Sequence, residues 1–181
     1  MTKPVQRWTG LLALSMIVLA SIGSQVAADE NQAFLSSMAG SWRSRGIAQD
    51  SVSAKSVAIL CALNSQLSAN GSKLNNTGEC ASTNGTTPVR GELAYDPASR
   101  QLSGTLINVE ERNFRTNGVG SVKDNLLTMR VSVRNDEGRL TGQGSLTIRR
   151  LSPRKMSMKL IVKDLPTGKV FTAMRLTMNK R

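Results

Sequence analysis

From Leu126 to Met178 apolar residues alternate with basic and hydroxyl residues through four successive runs, a two-residue period that belongs to strands and not to helices. Leu127, Met129, Val131 and Val133 sit between Thr128, Arg130, Ser132 and Arg134, and Leu140, Leu146 and Ile148 alternate with Thr141, Thr147 and Arg149. Met156, Met158, Leu160 and Val162 then alternate with Ser157, Lys159, Ile161 and Lys163, and Val170, Thr172, Met174, Leu176 and Met178 close the set. Each run gives one apolar and one wet face, the pattern of an antiparallel sheet with one side buried.

Ahead of this lies a segment that must be set aside before any fold is considered. Met1 to Ala28 carries Lys3 and Arg7, an apolar run from Leu11 to Ile22, and the small residues Val26, Ala27 and Ala28 before Asp29, which is the anatomy of a secretory signal peptide. The run is too short to be read as a membrane span. Cleavage is expected after Ala28, leaving residues 29–181 as one periplasmic or secreted domain, large enough for its own core. No cysteine directly follows the cleavage site, which argues against a lipid anchor.

Charge divides the remaining chain. Residues 29–125 hold nine Lys or Arg and nine Asp or Glu, whereas residues 126–181 hold thirteen and three, so the basic excess belongs to the closing strands. Arg130, Arg134, Arg149, Lys159, Lys163 and Arg175 share the parity opposite to the apolar residues, and a sheet would gather them on its outer face. Two readings stand side by side: attraction to polyanions or anionic lipid headgroups, as on an envelope surface, or solubility and protection of strand edges. Aromatics are few, which argues against single-stranded nucleic acid held on stacking platforms; no nucleic-acid partner is expected.

Asp29 to Met38 predicts a short helix with Ala33, Phe34, Leu35 and Met38 as its apolar stripe, stopped by Ala39-Gly40. Ser56 to Cys80 predicts a hairpin: Val57, Ile59, Cys61, Leu63 and Leu67 alternate, and Asn70-Gly71 is the favoured pair for a two-residue type I′ turn. Around that turn, paired positions add to a constant, so Cys61 faces Cys80 and Leu67 faces Leu74. The cysteines should form a structural disulfide contributing on the order of 3 kcal/mol. Two cysteines in a chain without histidine make a poor metal site, and neither metal nor cofactor is expected.

Turn signals recur through the rest, at Asn84-Gly85, Asp96-Pro97, Asn117-Gly118, Asp124-Asn125, Asp136 to Gly138, Ser152-Pro153 and Pro166 to Gly168. Some ten strands are predicted, beginning near Gly40, Ser56, Ser72, Thr87, Arg100, Asn113, Leu126, Arg139, Lys155 and Lys169. A meander of this length avoids two exposed edges by closing into an up-and-down antiparallel barrel of about 8–10 strands, with Gly91, Gly104, Gly142 and Gly144 where the sheet bends. An outer-membrane barrel fits poorly, because outward Arg and Lys at midplane would cost roughly 2 to 4 kcal/mol each and there are no aromatic girdles. Gly40-Ser41-Trp42 at the start of the first strand, after a short helix, resembles the Gly-x-Trp motif of lipocalins and the wider calycin group, and the strand count agrees. The resemblance implies a barrel whose base is closed by Trp42.

Met129, Met156, Met158, Met174 and Met178 all fall on the inward register. Methionine is flexible and polarisable, suited to a site for varied apolar ligands, and equally suited to filling gaps in a dry core. Catalysis finds little support. The chain has no histidine, Glu110 and Glu111 are adjacent and so face opposite sides of a strand, and Ser157 and Lys159 lie on the wet face. The leading expectation is a non-enzymatic binding barrel holding a lipophilic or amphipathic anionic molecule against Trp42 and the five methionines. An early Trp followed by a hairpin-linked Cys pair also resembles the small periplasmic inhibitors of metalloproteases, on Trp42, Cys61 and Cys80, with the strands after Tyr95 departing from that pattern. An envelope interaction protein using only its basic face is the third reading.

Overall fold

A computed structural model describes residues 29–108, 115–135 and 137–181. Residues 1–28, expected to be a signal peptide, together with Glu110 and Glu111, the expected strand start at Asn113, and Asp136 lie outside the described residues.

Asp29 is the N-cap of α1, Glu30–Ser37, its carboxylate accepting from the Asn31 amide at 2.8 Å. Ten strands follow: β1 Gly40–Ala48, β2 Val57–Leu67, β3 Lys73–Ser82, β4 Gly85–Asp96, β5 Gln101–Asn108, β6 Arg115–Lys123, β7 Leu126–Arg134, β8 Leu140–Ser152, β9 Lys155–Asp164 and β10 Val170–Lys180. Every strand pairs antiparallel with its sequence neighbour, and β1 pairs with β10 to close the barrel. Closure leaves no edge strand.

The helix is tied to the end of the barrel where β4–β5 and β6–β7 turn. Asn31 does this with one side chain: its Nδ2 donates to the Arg100 carbonyl at 3.1 Å, and its Oδ1 accepts from the Val122 amide at 2.7 Å. Phe34, Leu35 and Met38 are buried, and Ala33, expected in the same stripe, is exposed. The buried polar residue Asn31 takes part of the stripe's place, which is why apolar spacing alone misplaces it.

The hairpin register is as expected, with Cys61 opposite Cys80 and Leu67 opposite Leu74. The disulfide is formed, and its Cα atoms are 4.0 Å apart. The turn differs. Ser68 N donates to Lys73 O at 2.8 Å and Gly71 N to Ser68 O at 2.9 Å, so a four-residue loop, Ala69 to Ser72, replaces the type I′ pair. Only Gly71 (φ 69°) has the positive φ that a type I′ turn requires at both residues. Widening the loop by one residue on each side preserves the register. The type I′ geometry appears instead at Asp124-Asn125, with φ 51° and 60°, between the paired ends Lys123 and Leu126.

Three positions of the expected inward sets are turned out by two bulges. The register of β10 against β9 shifts between Thr172 and Met174, so Phe171 and Ala173 face the core and Val170 and Thr172 do not. A shift between Val133 and Arg134 likewise sets Leu140 opposite Arg134, and Leu140 is exposed. Beyond the bulges the alternation holds, and Gly144 shows why glycine sits in it: a Cβ there would lie 1.8 Å from the Ile161 carbonyl oxygen on the next strand.

Candidate ligand cavity and basic outer face

The barrel interior keeps a cavity of about 100 Å³. Trp42, Met129, Met158, Met174 and Met178 line it; Met156 is fully buried beside Met178 and is not among the lining residues. Gly91, Gly104 and Gly118 also line it, and neighbouring side chains pack over two of them: a Cβ at Gly104 would lie 2.6 Å from Leu93 Cδ2, and one at Gly118 2.9 Å from Val131 Cγ1. Trp42 is only 2% exposed, and its indole Nε1 donates to the Met38 carbonyl at 2.7 Å, binding the first strand to the helix end. Lys180 on β10 sits opposite Trp42, its Nζ 5.5 Å from the ring centroid. The base is thus closed by α1, Trp42 and a cation from the last strand.

Met38, Ser65, Asn76 and Thr116 are among the wall residues that apolar alternation did not single out as lining. Ser65 Oγ donates to Asn76 Oδ1 at 2.6 Å. That bond leaves the Asn76 amide nitrogen without a hydrogen-bond partner among the described residues, a donor on an otherwise mostly apolar wall. The signal for this pair was present, since the register constant that joins Cys61 to Cys80 also joins Ser65 to Asn76. Arg90 lines the cavity on the β4 side. A further inward hydroxyl, Ser44 between Cys61 and Met178, is buried with no partner for its Oγ among the described residues.

Asp29 is a carboxylate with a defined role near the base, as is Glu30, whose Oε1 accepts from the Asn125 amide at 3.3 Å. The Tyr95 hydroxyl donates to Asp29, with further bonds from Asn31, and holds its pKa below the usual 3.8 despite some desolvation. The same bond raises Tyr95 above 10.0, because ionisation would remove the donated proton.

Outside the barrel, Arg130, Arg134, Arg149, Lys159, Lys163 and Arg175 all take the outward parity. Register separates them. Arg175 lies directly opposite Lys159, with Arg149 on the diagonal through Ser157; Arg130 pairs with Ser145 and Val119, two strands from β9; Arg134 opposes Arg115 and donates to the Gly138 carbonyl at 2.7 Å. Closure adds two cations that sequence order concealed, Arg43 opposite Asn179 and Arg45 opposite Thr177. Among the described residues, no group of three or more Cys, Asp or Glu is placed to hold a metal, and no helix is long and apolar enough to cross a membrane.

No family model matches the sequence, and no curated protein matches it. A solved structure does resemble the fold. The S-type phycobiliprotein lyase CPES from Guillardia theta superposes with a TM-score of 0.56 at 15% identity, covering 83% of this chain and 92% of that one. At that identity the likeness is one of fold, and it places the ten-strand barrel beside a calycin-like neighbour.

Proposed function

We propose that the protein is an exported, non-enzymatic binding barrel that holds a small lipophilic or amphipathic anionic molecule. The observation that carries this reading is the internal cavity, apolar on most of its wall, flanked by five methionines counting Met38, and provided with the Asn76 amide nitrogen, which has no hydrogen-bond partner among the described residues. Apolar walls with a small number of placed polar groups are the usual composition of a small-molecule site. The Asn76 amide suits an oxygen acceptor such as a carboxylate on the ligand, and the methionines and Leu63 suit its hydrocarbon part.

The cavity volume, about 100 Å³, is below the roughly 300–1,000 Å³ of a drug-sized site. A ligand of that size must therefore displace side chains. Methionine has three rotatable bonds and low preference among its rotamers, so a Met-lined wall yields at smaller cost than one of branched residues. The disulfide supports export, since such bonds persist in oxidising compartments.

Native mass spectrometry of protein purified without detergent tests the reading, together with uptake of a fluorescent fatty acid. Bound mass, or saturable uptake lost on Met129→Trp, supports it. Protein that is always empty and takes up no probe overturns it and leaves the methionines as core filling.

A further inference from the structure

We propose that the outer wall formed by β8, β9, β10, β1 and β2 docks on an anionic lipid surface. These strands are brought together only by closure of the barrel, and the sole acidic residue on them is Asp164, at the end of β9. Arg175 stands directly opposite Lys159, with Arg149 on the next strand and Arg45 across the closure. None of the four is ion-paired among the described residues. Like charges set directly opposite on neighbouring strands cost stability, and solubility alone is served better by mixed signs. The arrangement is that of a surface awaiting an anionic partner.

Apolar side chains lie among these cations. Leu60 is 65% exposed and pairs with Arg45; Ile47 is 39% exposed and pairs with Arg175. A hydrated polyanion would satisfy the cations and leave Leu60 and Ile47 in water. This wall presents no outward aromatic on which nucleic-acid bases could stack. A bilayer interface satisfies both sets, with phosphates against Arg and Lys and the aliphatic side chains at the headgroup and acyl boundary. The site is on the outside of the wall and independent of the cavity.

Co-sedimentation with vesicles of equal parts phosphatidylglycerol and phosphatidylcholine, against vesicles of phosphatidylcholine alone, tests this. Binding is expected to the first and not to the second, and to disappear between 0.1 M and 1 M salt as the Debye length shrinks from about 10 Å to about 3 Å. Arg45→Glu, Lys159→Glu and Arg175→Glu together should weaken it by roughly 100-fold. Leu60→Ser should weaken it several-fold while the salt dependence persists. If the triple Glu variant fails to fold by circular dichroism, the triple Gln variant is measured in its place, with the same direction expected. Equal binding to both vesicle types, or undiminished binding by the folded triple variant, overturns the proposal. So does binding to heparin without vesicle binding, insensitive to Leu60→Ser, which assigns the face to a soluble polyanion.

Discussion

Reduction of the Cys61–Cys80 bond should destabilise the barrel by a calculable amount without unfolding it. The two cysteines are 19 residues apart, and closing a loop of about that size removes roughly 3 kcal/mol of denatured-state entropy. A single domain of this length has a stability of about 5–15 kcal/mol, so most of it remains after reduction. At about 2–4 °C per kcal/mol, the melting temperature should fall by roughly 6–12 °C. Thermal melts with and without reductant, with thiol alkylation and mass mapping on the same samples, measure both the state of the bond and its effect. Urea titration adds a separate check: freeing the hairpin lets the denatured chain expand, so the m-value should rise on reduction. Free thiols in protein purified without reductant would refute the pairing. An unchanged melting temperature would refute the entropy argument, since the reduced denatured chain would then already hold the hairpin. Complete unfolding on reduction would show that the core cannot stand alone.

The same reasoning extends to three side chains at or near the interior. Because Tyr95 and Asn31 lower the Asp29 pKa, the stability this carboxylate contributes is present above its unfolded value of about 3.8 and is lost as pH falls through the lower folded value; acid titration followed by Trp42 fluorescence should show this step, and Asp29→Asn should remove it. Ser44→Ala deletes a buried hydroxyl that has no partner among the described residues, and urea denaturation should show it neutral or stabilising, by up to about 1–3 kcal/mol; clear destabilisation would mean that the hydroxyl is satisfied in solution. Asn76→Leu should cut affinity for a fluorescent fatty acid at least tenfold and leave a hydrocarbon probe such as diphenylhexatriene unaffected; equal losses for both would remove the polar anchor from the proposed site.

Strand order, the hairpin register and the inward methionines were legible because all three rest on period-two alternation, which is local in sequence. What escaped was of two kinds. Bulges at Ala173 and near Val133 insert a residue and reverse the parity beyond it, and no residue type at either place announces the insertion. The Asn70-Gly71 turn misled because its residue types suit type I′, whereas Ser68 and Asn70 side chains organise a wider loop, Ser68 Oγ donating to Asn70 Oδ1 at 2.7 Å and accepting from Lys73 N at 3.0 Å. Ser65 and Asn76 obey the same register constant as Cys61 and Cys80, but a polar pair on an inward face carries no hydrophobic signal.

The pairing of β1 with β10 belongs to neither kind. It joins segments at opposite ends of the domain, and no spacing within either strand records which partner it takes. Its consequences fall on both sides of the wall at once, setting Trp42 against Lys180 at the base and Arg45 across from β10's Thr177, diagonal to Arg175, outside. The inner and outer sets are interleaved one residue apart, as in Met158-Lys159-Leu160 and Met174-Arg175-Leu176, so a single run of sequence carries both surfaces. The pleat keeps them chemically separate, because adjacent side chains leave on opposite faces of one sheet. The proposed interior site and the proposed outer docking face therefore lie on the same strands, and the alternation that specifies the fold is also what would divide the two roles.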